Sequence, residues 1–70
     1  MKRLEVTFDR EEDGRWIADI EEIPGALAYG KTRDEAAMKA CAIALHVIAE
    51  RTEEGDQSFA PAVHKIFDFA

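Results

Sequence analysis

Polar and apolar side chains alternate strictly over residues 3–8: Leu4, Val6 and Phe8 point one way, Arg3, Glu5 and Thr7 the other. A period of two is the pattern of a half-buried strand. Residues 9–14 (DREEDG) follow as a polar turn ending in Asp-Gly, a strong reversal signal. Alternation resumes over residues 15–20, with Trp16, Ala18 and Ile20 on one face. Two such runs joined by a short acidic loop predict an antiparallel hairpin. Its apolar sides match when Leu4, Val6 and Phe8 share a face with Trp16, Ala18 and Ile20.

Ile23-Pro24-Gly25 sets proline and glycine at the two central positions of a type II turn, where glycine takes a positive φ at little cost. Residues 26–30 (ALAYG) give a third short strand, bulky on the Leu27 and Tyr29 side and small on the Ala26 and Ala28 side. The small side suits a closely packed helix. Thr32-Arg33-Asp34-Glu35 is a capping box: the threonine oxygen accepts from the Glu35 amide while the Glu35 side chain reaches back. Asp34 and Glu35 also favour the positive end of the helix dipole. Nothing interrupts a helix from there to about Arg51, and alanine is abundant in it. Ala37, Ala40, Cys41, Ala44, Val47 and Ile48 form an apolar stripe at helical spacing, expected to face the sheet. Met38, Leu45 and Ala49 form another stripe beside it, with Ala42 at its edge, and the polar remainder (Glu35, Lys39, His46, Glu50) is narrow. One sheet cannot cover both stripes. The outer one is therefore expected either at a subunit or partner contact or beneath the C-terminal segment.

Glu53-Glu54-Gly55-Asp56 ends the helix, and the tail over residues 58–70 fits two patterns. Val63, Lys65, Phe67 and Phe69 alternate with His64, Ile66 and Asp68 as in a strand. Val63, Ile66, Phe67 and Ala70 also match helical spacing, with Pro61 placed to open a helix. The strand is the favoured reading. The expected class is α+β: a small antiparallel sheet of three or four strands, in the order β-β-β-α-β, packed against one long helix.

Length and charge narrow the function. Seventy residues leave room for one domain, 1–70, with one small core. A domain of this size buries only about 60% of the surface its unfolded chain exposes, so a homo-oligomer is expected. Nine Lys and Arg against 15 Asp and Glu give a net charge of −6. That balance argues against direct nucleic-acid binding, which relies on cations neutralising phosphates, and suits a basic partner. An apolar fraction of 47% is too high for intrinsic disorder. The single cysteine, Cys41, excludes an internal disulfide. No stretch approaches the length of a membrane span, and no apolar segment follows Met1-Lys2-Arg3 as a signal peptide requires. A cytoplasmic protein without membrane attachment is expected.

Three joints in this order carry a family resemblance. They are Glu12-Asp13-Gly14 at the hairpin turn with Trp16-Ile17-Ala18 after it, Glu22-Ile23-Pro24-Gly25, and Gly30-Lys31-Thr32-Arg33-Asp34-Glu35-Ala36. Residues 22–25 resemble the "elPG" turn, and residues 30–36 the "G-x-T-x-x-E-A" helix start, of the HicB family of toxin–antitoxin antitoxins. Together the joints cover about residues 3 to 50. The resemblance implies a partial ribonuclease-H-like fold and binding to HicA, a small basic toxin that cleaves mRNA through a catalytic histidine. Antitoxins of this family usually append an operator-binding helix-turn-helix or ribbon-helix-helix. Residues 1–70 hold no such segment and no basic stretch, so operator binding is not expected.

Catalysis has little support. A ribonuclease-H-like nuclease needs several carboxylates converging on divalent metals, and Glu5, Asp9, Asp19 and Glu22 are the acids near the strands. Acids on the wet side of an antiparallel sheet are the ordinary case, and the chain contains no asparagine. His46 and His64 lack the spacing of a zinc site, and Cys41 falls in an apolar stripe where a small buried thiol is the expected reading. No Gly-rich phosphate loop is present. No catalytic, cofactor or metal residue is therefore assigned. Partner binding is assigned to the acidic clusters Glu11, Glu12 and Asp13 and Glu21 and Glu22, together with Ile17 and Tyr29 on an open sheet face shared with Leu27. Apolar anchors of that kind usually dominate affinity over rim charges. The oligomer interface is assigned to Met38, Leu45 and Ala49.

Overall fold

Two tight reversals leave room for only short strands. In the computed structural model, which describes residues 3–69, β1 (Thr7–Arg10), β2 (Trp16–Asp19) and β3 (Leu27–Gly30) form one antiparallel sheet in sequential order. The first reversal is closed by the Gly14 N–H donating to the Glu11 carbonyl at 2.9 Å, with Gly14 at φ 90°. The other folds residues 20–26 back on themselves. Ile23 donates to Ile20 and Ala26 to Ile23, each at 3.0 Å, and Gly25 takes φ 87° after Pro24, as the type II turn requires.

β1 starts later than the alternation predicts. Thr7 pairs with Asp19, the last residue of β2, and the next amide, Ile20 N–H, turns away to the Ala26 carbonyl at 3.0 Å. Residues 4–6 thus lie outside the ladder, although Leu4 and Val6 still pack against the core. Asp9 and Arg10, expected in the turn, belong to the strand.

The helix α1 (Arg33–Glu53) lies on the face carrying Phe8, Ala18 and Ala28, which are cross-strand neighbours. Thr32 Oγ1 accepts the Glu35 N–H at 3.0 Å, as the cap predicts, while Glu35 Oε1 reaches back one residue further and accepts the Lys31 N–H at 3.0 Å instead of the Thr32 N–H of a regular capping box. At the far end the Asp56 N–H reaches the Arg51 carbonyl and the Gly55 N–H the Thr52 carbonyl, with Gly55 at φ 78°. These are the two bonds of a Schellman cap. Ala36, Ala40, Ala44 and Ile48 are the buried residues of α1, while Ala37, Cys41 and Val47 are half-buried. The core is built largely from alanines, and Ile20 and Ile23 are its largest fully buried side chains.

Among the described residues the favoured fourth strand does not form. Asp56 Oδ1 accepts the Ser58 N–H at 2.8 Å and starts a 3₁₀ turn (Gln57–Phe59), and α2 (Ala60–Ile66) follows with Pro61 in its first turn. Helical spacing wins because it sets Ala62, which is buried, and Val63 against the core together with Phe59. The Lys65 ammonium pairs with the Glu22 carboxylate, tying α2 to the loop of residues 20–26. Ala70 lies outside the described residues. The tail meets α1 near Ile48 and Arg51, whose guanidinium sits 5.9 Å from the Phe59 ring centre. It leaves the outer stripe uncovered: Met38 is 64% and Leu45 55% exposed.

The close approach of α1 to β3 yields a direct test. A Cβ placed on Gly30 would stand 2.5 Å from the Ala36 backbone nitrogen, and backbone at the capped start of α1 cannot give way as a flexible side chain can. Gly30→Ala should therefore lower stability by about 1–3 kcal/mol, read as an earlier midpoint in urea. An unchanged midpoint would show that helix and sheet separate freely.

Candidate interaction face

The face of the sheet opposite α1 is open. Register fixes its layout in two rungs: Asp9, Ile17 and Tyr29 across the first, Thr7, Asp19 and Leu27 across the next. Ile17 is half-buried, Leu27 41% and Tyr29 38% exposed. The three apolar groups cluster over β2 and β3, and the two carboxylates border them toward β1. A shallow cavity of about 270 Å³ lies between, lined by Thr7, Phe8, Asp9, Ile17, Asp19 and Leu27. Among the described residues neither Asp9 nor Asp19 has an ion-pair partner. Asp9 Oδ1 accepts the Arg10 N–H at 2.8 Å, and the Asp19 backbone carbonyl accepts the Thr7 hydroxyl at 3.3 Å.

Arg15 organises one end of this face. Its guanidinium stands 4.6 Å from the Tyr29 ring centre, within cation–π range, and its Nε donates to Asp13 Oδ2 at 2.8 Å. The ring is thus held by a residue that also orders the hairpin tip. The Arg15 N–H donates to Asp13 Oδ1 at 3.1 Å. This backbone hydrogen bond is the main reason that the Asp13 carboxyl is held below the ordinary aspartate range, partly opposed by desolvation and aided by the guanidinium.

The assigned partner residues fall into three places. Ile17 and Tyr29 meet on the open face. Glu11, Glu12 and Asp13 stand at the hairpin tip around Arg15, at one end of β2. Glu21 and Glu22 stand beyond its other end, in a cleft with Arg3, Glu5, Thr7 and Lys65. The two acidic clusters do not form one patch, and Glu22 is engaged by Lys65. Asp9, Asp19 and Arg15 are additional members of the face. Alternation places Ile17 on the open side, but Asp9 falls in the expected turn, and the register that sets the two side by side needs the length of the hairpin loop.

The remaining chemistry-bearing residues stay apart. Among the described residues no group of three or more His, Cys, Asp or Glu is placed to hold a metal ion. His46 is exposed on α1, and the His64 ring packs against Phe69 with ring centres 4.1 Å apart and planes tilted by 41°. Cys41 is a free, half-buried thiol. No helix among the described residues is long and apolar enough to cross a membrane. Comparison with protein-family models, with curated proteins and with solved structures finds no match.

The hairpin tip makes a pH prediction. Because the folded chain favours ionised Asp13, its contribution to stability is present above the ordinary aspartate range and is lost as pH falls through the lowered value. A carboxyl-carbon NMR titration should place the Asp13 midpoint below that of an unstructured aspartate. In Arg15→Ala the midpoint should recover only part of the way, since the residue 15 amide still donates. Full recovery would assign the shift to the guanidinium.

Proposed function

We propose that this chain acts by binding rather than by catalysis, as an antitoxin-like protein in the cytoplasm that sterically covers the active surface of a small basic RNase toxin of the HicA kind. The observation that carries the reading is the open face itself. Ile17, Leu27 and Tyr29 lie beside the carboxylates of Asp9 and Asp19, neither of which has an ion-pair partner among the described residues. A basic partner with an apolar contact would find both requirements met in one place: burial of the apolar groups for lifetime and opposite charge for encounter. The HicB-like joints at residues 12–18, 22–25 and 30–36 support the same reading and carry with them the partial ribonuclease-H-like fold. No cofactor, metal or nucleic acid enters it.

An alternative reading is that of a stand-alone oligomerisation or interaction module with no toxin partner. It draws on the uncovered stripe of α1, where Met38 and Leu45 project into solvent.

The leading reading is tested by affinity capture of the tagged chain from its own organism. The expected eluate holds a small basic protein in stoichiometric amount, with RNase activity that depends on a histidine and is suppressed by the chain. Within that complex Tyr29→Ala should raise koff about thirtyfold, the size of a typical hot-spot loss of about 2 kcal/mol. Asp19→Asn and added salt should act mainly by slowing association. A captured RNase that the chain fails to inhibit, or rates indifferent to both Tyr29 and salt, would remove the reading.

A further inference from the structure

The helical layer carries an apolar ridge of its own, on the side of α1 turned away from the core. Met38, Ala42, Leu45 and Ala49 are all exposed. They follow one another at intervals of four, three and four residues, so at 3.6 residues per turn they fall within about 60° of arc. That spacing is the seam of paired helices. The core explains why so much apolar bulk remains outside. Among the described residues, seven of the ten buried core residues are alanine and the other three are isoleucine, whereas Met38 and Leu45 stay 64% and 55% exposed.

We infer that this ridge is a self-association surface whose occupant is the same ridge of another copy, with the two α1 helices antiparallel about a two-fold axis passing between Ala42 and Leu45. This inference rests on the alternative reading, that α1 presents an interface, and names its occupant. The ridge is self-complementary in size under that axis. Leu45 of each copy meets Ala42 of the other, and Met38 of each meets Ala49 of the other, so every bulky side chain faces a small one. A two-fold contact requires this reciprocity, whereas a foreign partner would impose no such order on the ridge. Charge fits along the flank. Lys39, paired with Glu35 at 3.6 Å, comes within about 3 Å of the level of Glu50 on the other copy. It there sits between carboxylates of both copies, and offsets part of the acid that Glu35, Glu50 and Glu53 bring to that side.

The test is the mass of the full chain in solution, by sedimentation equilibrium over a wide concentration range. The wild-type chain should be a concentration-dependent dimer. Leu45→Glu should weaken it by about tenfold or more with the far-UV CD spectrum unchanged, since Leu45 is exposed and stands apart from the residues packed in the core. Ala42→Leu alone should also weaken it, and Ala42→Leu combined with Leu45→Ala should restore it, because bulk and gap are exchanged across the axis. A chain that stays monomeric overturns both the inference and the oligomerisation reading. A dimer untouched by Leu45→Glu, or one broken by it but not restored by the exchange, overturns the inference alone.

Discussion

The rest of this structure depends on how closely a helix can lie on a sheet. At the end of β3 the chain turns into α1 through Lys31 and Thr32, and the space between Gly30 and Ala36 admits no side-chain carbon. From that contact the small residues continue in both layers: Ala18, Ala26 and Ala28 on the sheet side, Ala40 and Ala44 on the helix. A short separation brings backbone close to backbone and gains dispersion contact without large side chains. It also limits what the core can hold. The bulk that a 70-residue chain needs for burial has to be placed at the ends of the contact, where Ile20, Ile23 and Ile48 are found, or outside it.

That limit accounts for the two apolar outer surfaces. Leu27 and Tyr29 alternate with Ala28 and Gly30, so pressing the small side onto the helix turns the bulky side outward. On α1, the tight fit of Ala36, Ala40 and Ala44 fixes the rotation of the helix and so turns Met38 and Leu45 away from the sheet. Neither surface is an accident of an underfilled core, because each follows from alternation or helical period once the inner contact is small. The tail repairs only one end. α2 sets Ala62 and Val63 near Ile48, held by the Lys65–Glu22 pair, and leaves Leu27, Tyr29, Met38 and Leu45 exposed.

Much of this was legible in the residues. The hairpin, the Pro24-Gly25 turn, the third strand and the Thr32 cap each rest on local chemistry that nothing in the tertiary structure overrides, and the inner stripe of α1 holds at Ala40, Ala44 and Ile48 but omits Ala36, which is buried where Ala37 is only half-buried. What failed was non-local or evenly balanced. β1 begins at Thr7 because β2 runs out at Asp19, which the pattern around Leu4 and Val6 does not encode. The tail carries both periods, and Asp56 and Pro61 decide in favour of the helix. The face shows the same division. Ile17, Leu27 and Tyr29 follow from alternation, but the neighbourhood of Asp9 and Ile17 needs the register, and the Arg15–Tyr29 contact needs the path of the hairpin tip.

The two outer surfaces differ in what they ask of a partner. The sheet face sets carboxylates beside its apolar groups, and among the described residues neither Asp9 nor Asp19 has a cation of its own. Charge of that sign speeds the approach of a basic surface and resists another copy of a chain that itself carries −6. The ridge of α1 has no charge along its crest, and its acids lie on the flank with Lys39 among them. Its selectivity must therefore come from shape, which is where its alternation of large and small residues lies. Since the surfaces occupy opposite layers, filling one leaves the other open. An arrangement with paired helices at the centre and a sheet face directed outward on each side is compatible with both, and in it two copies would engage two partners without contact between those partners.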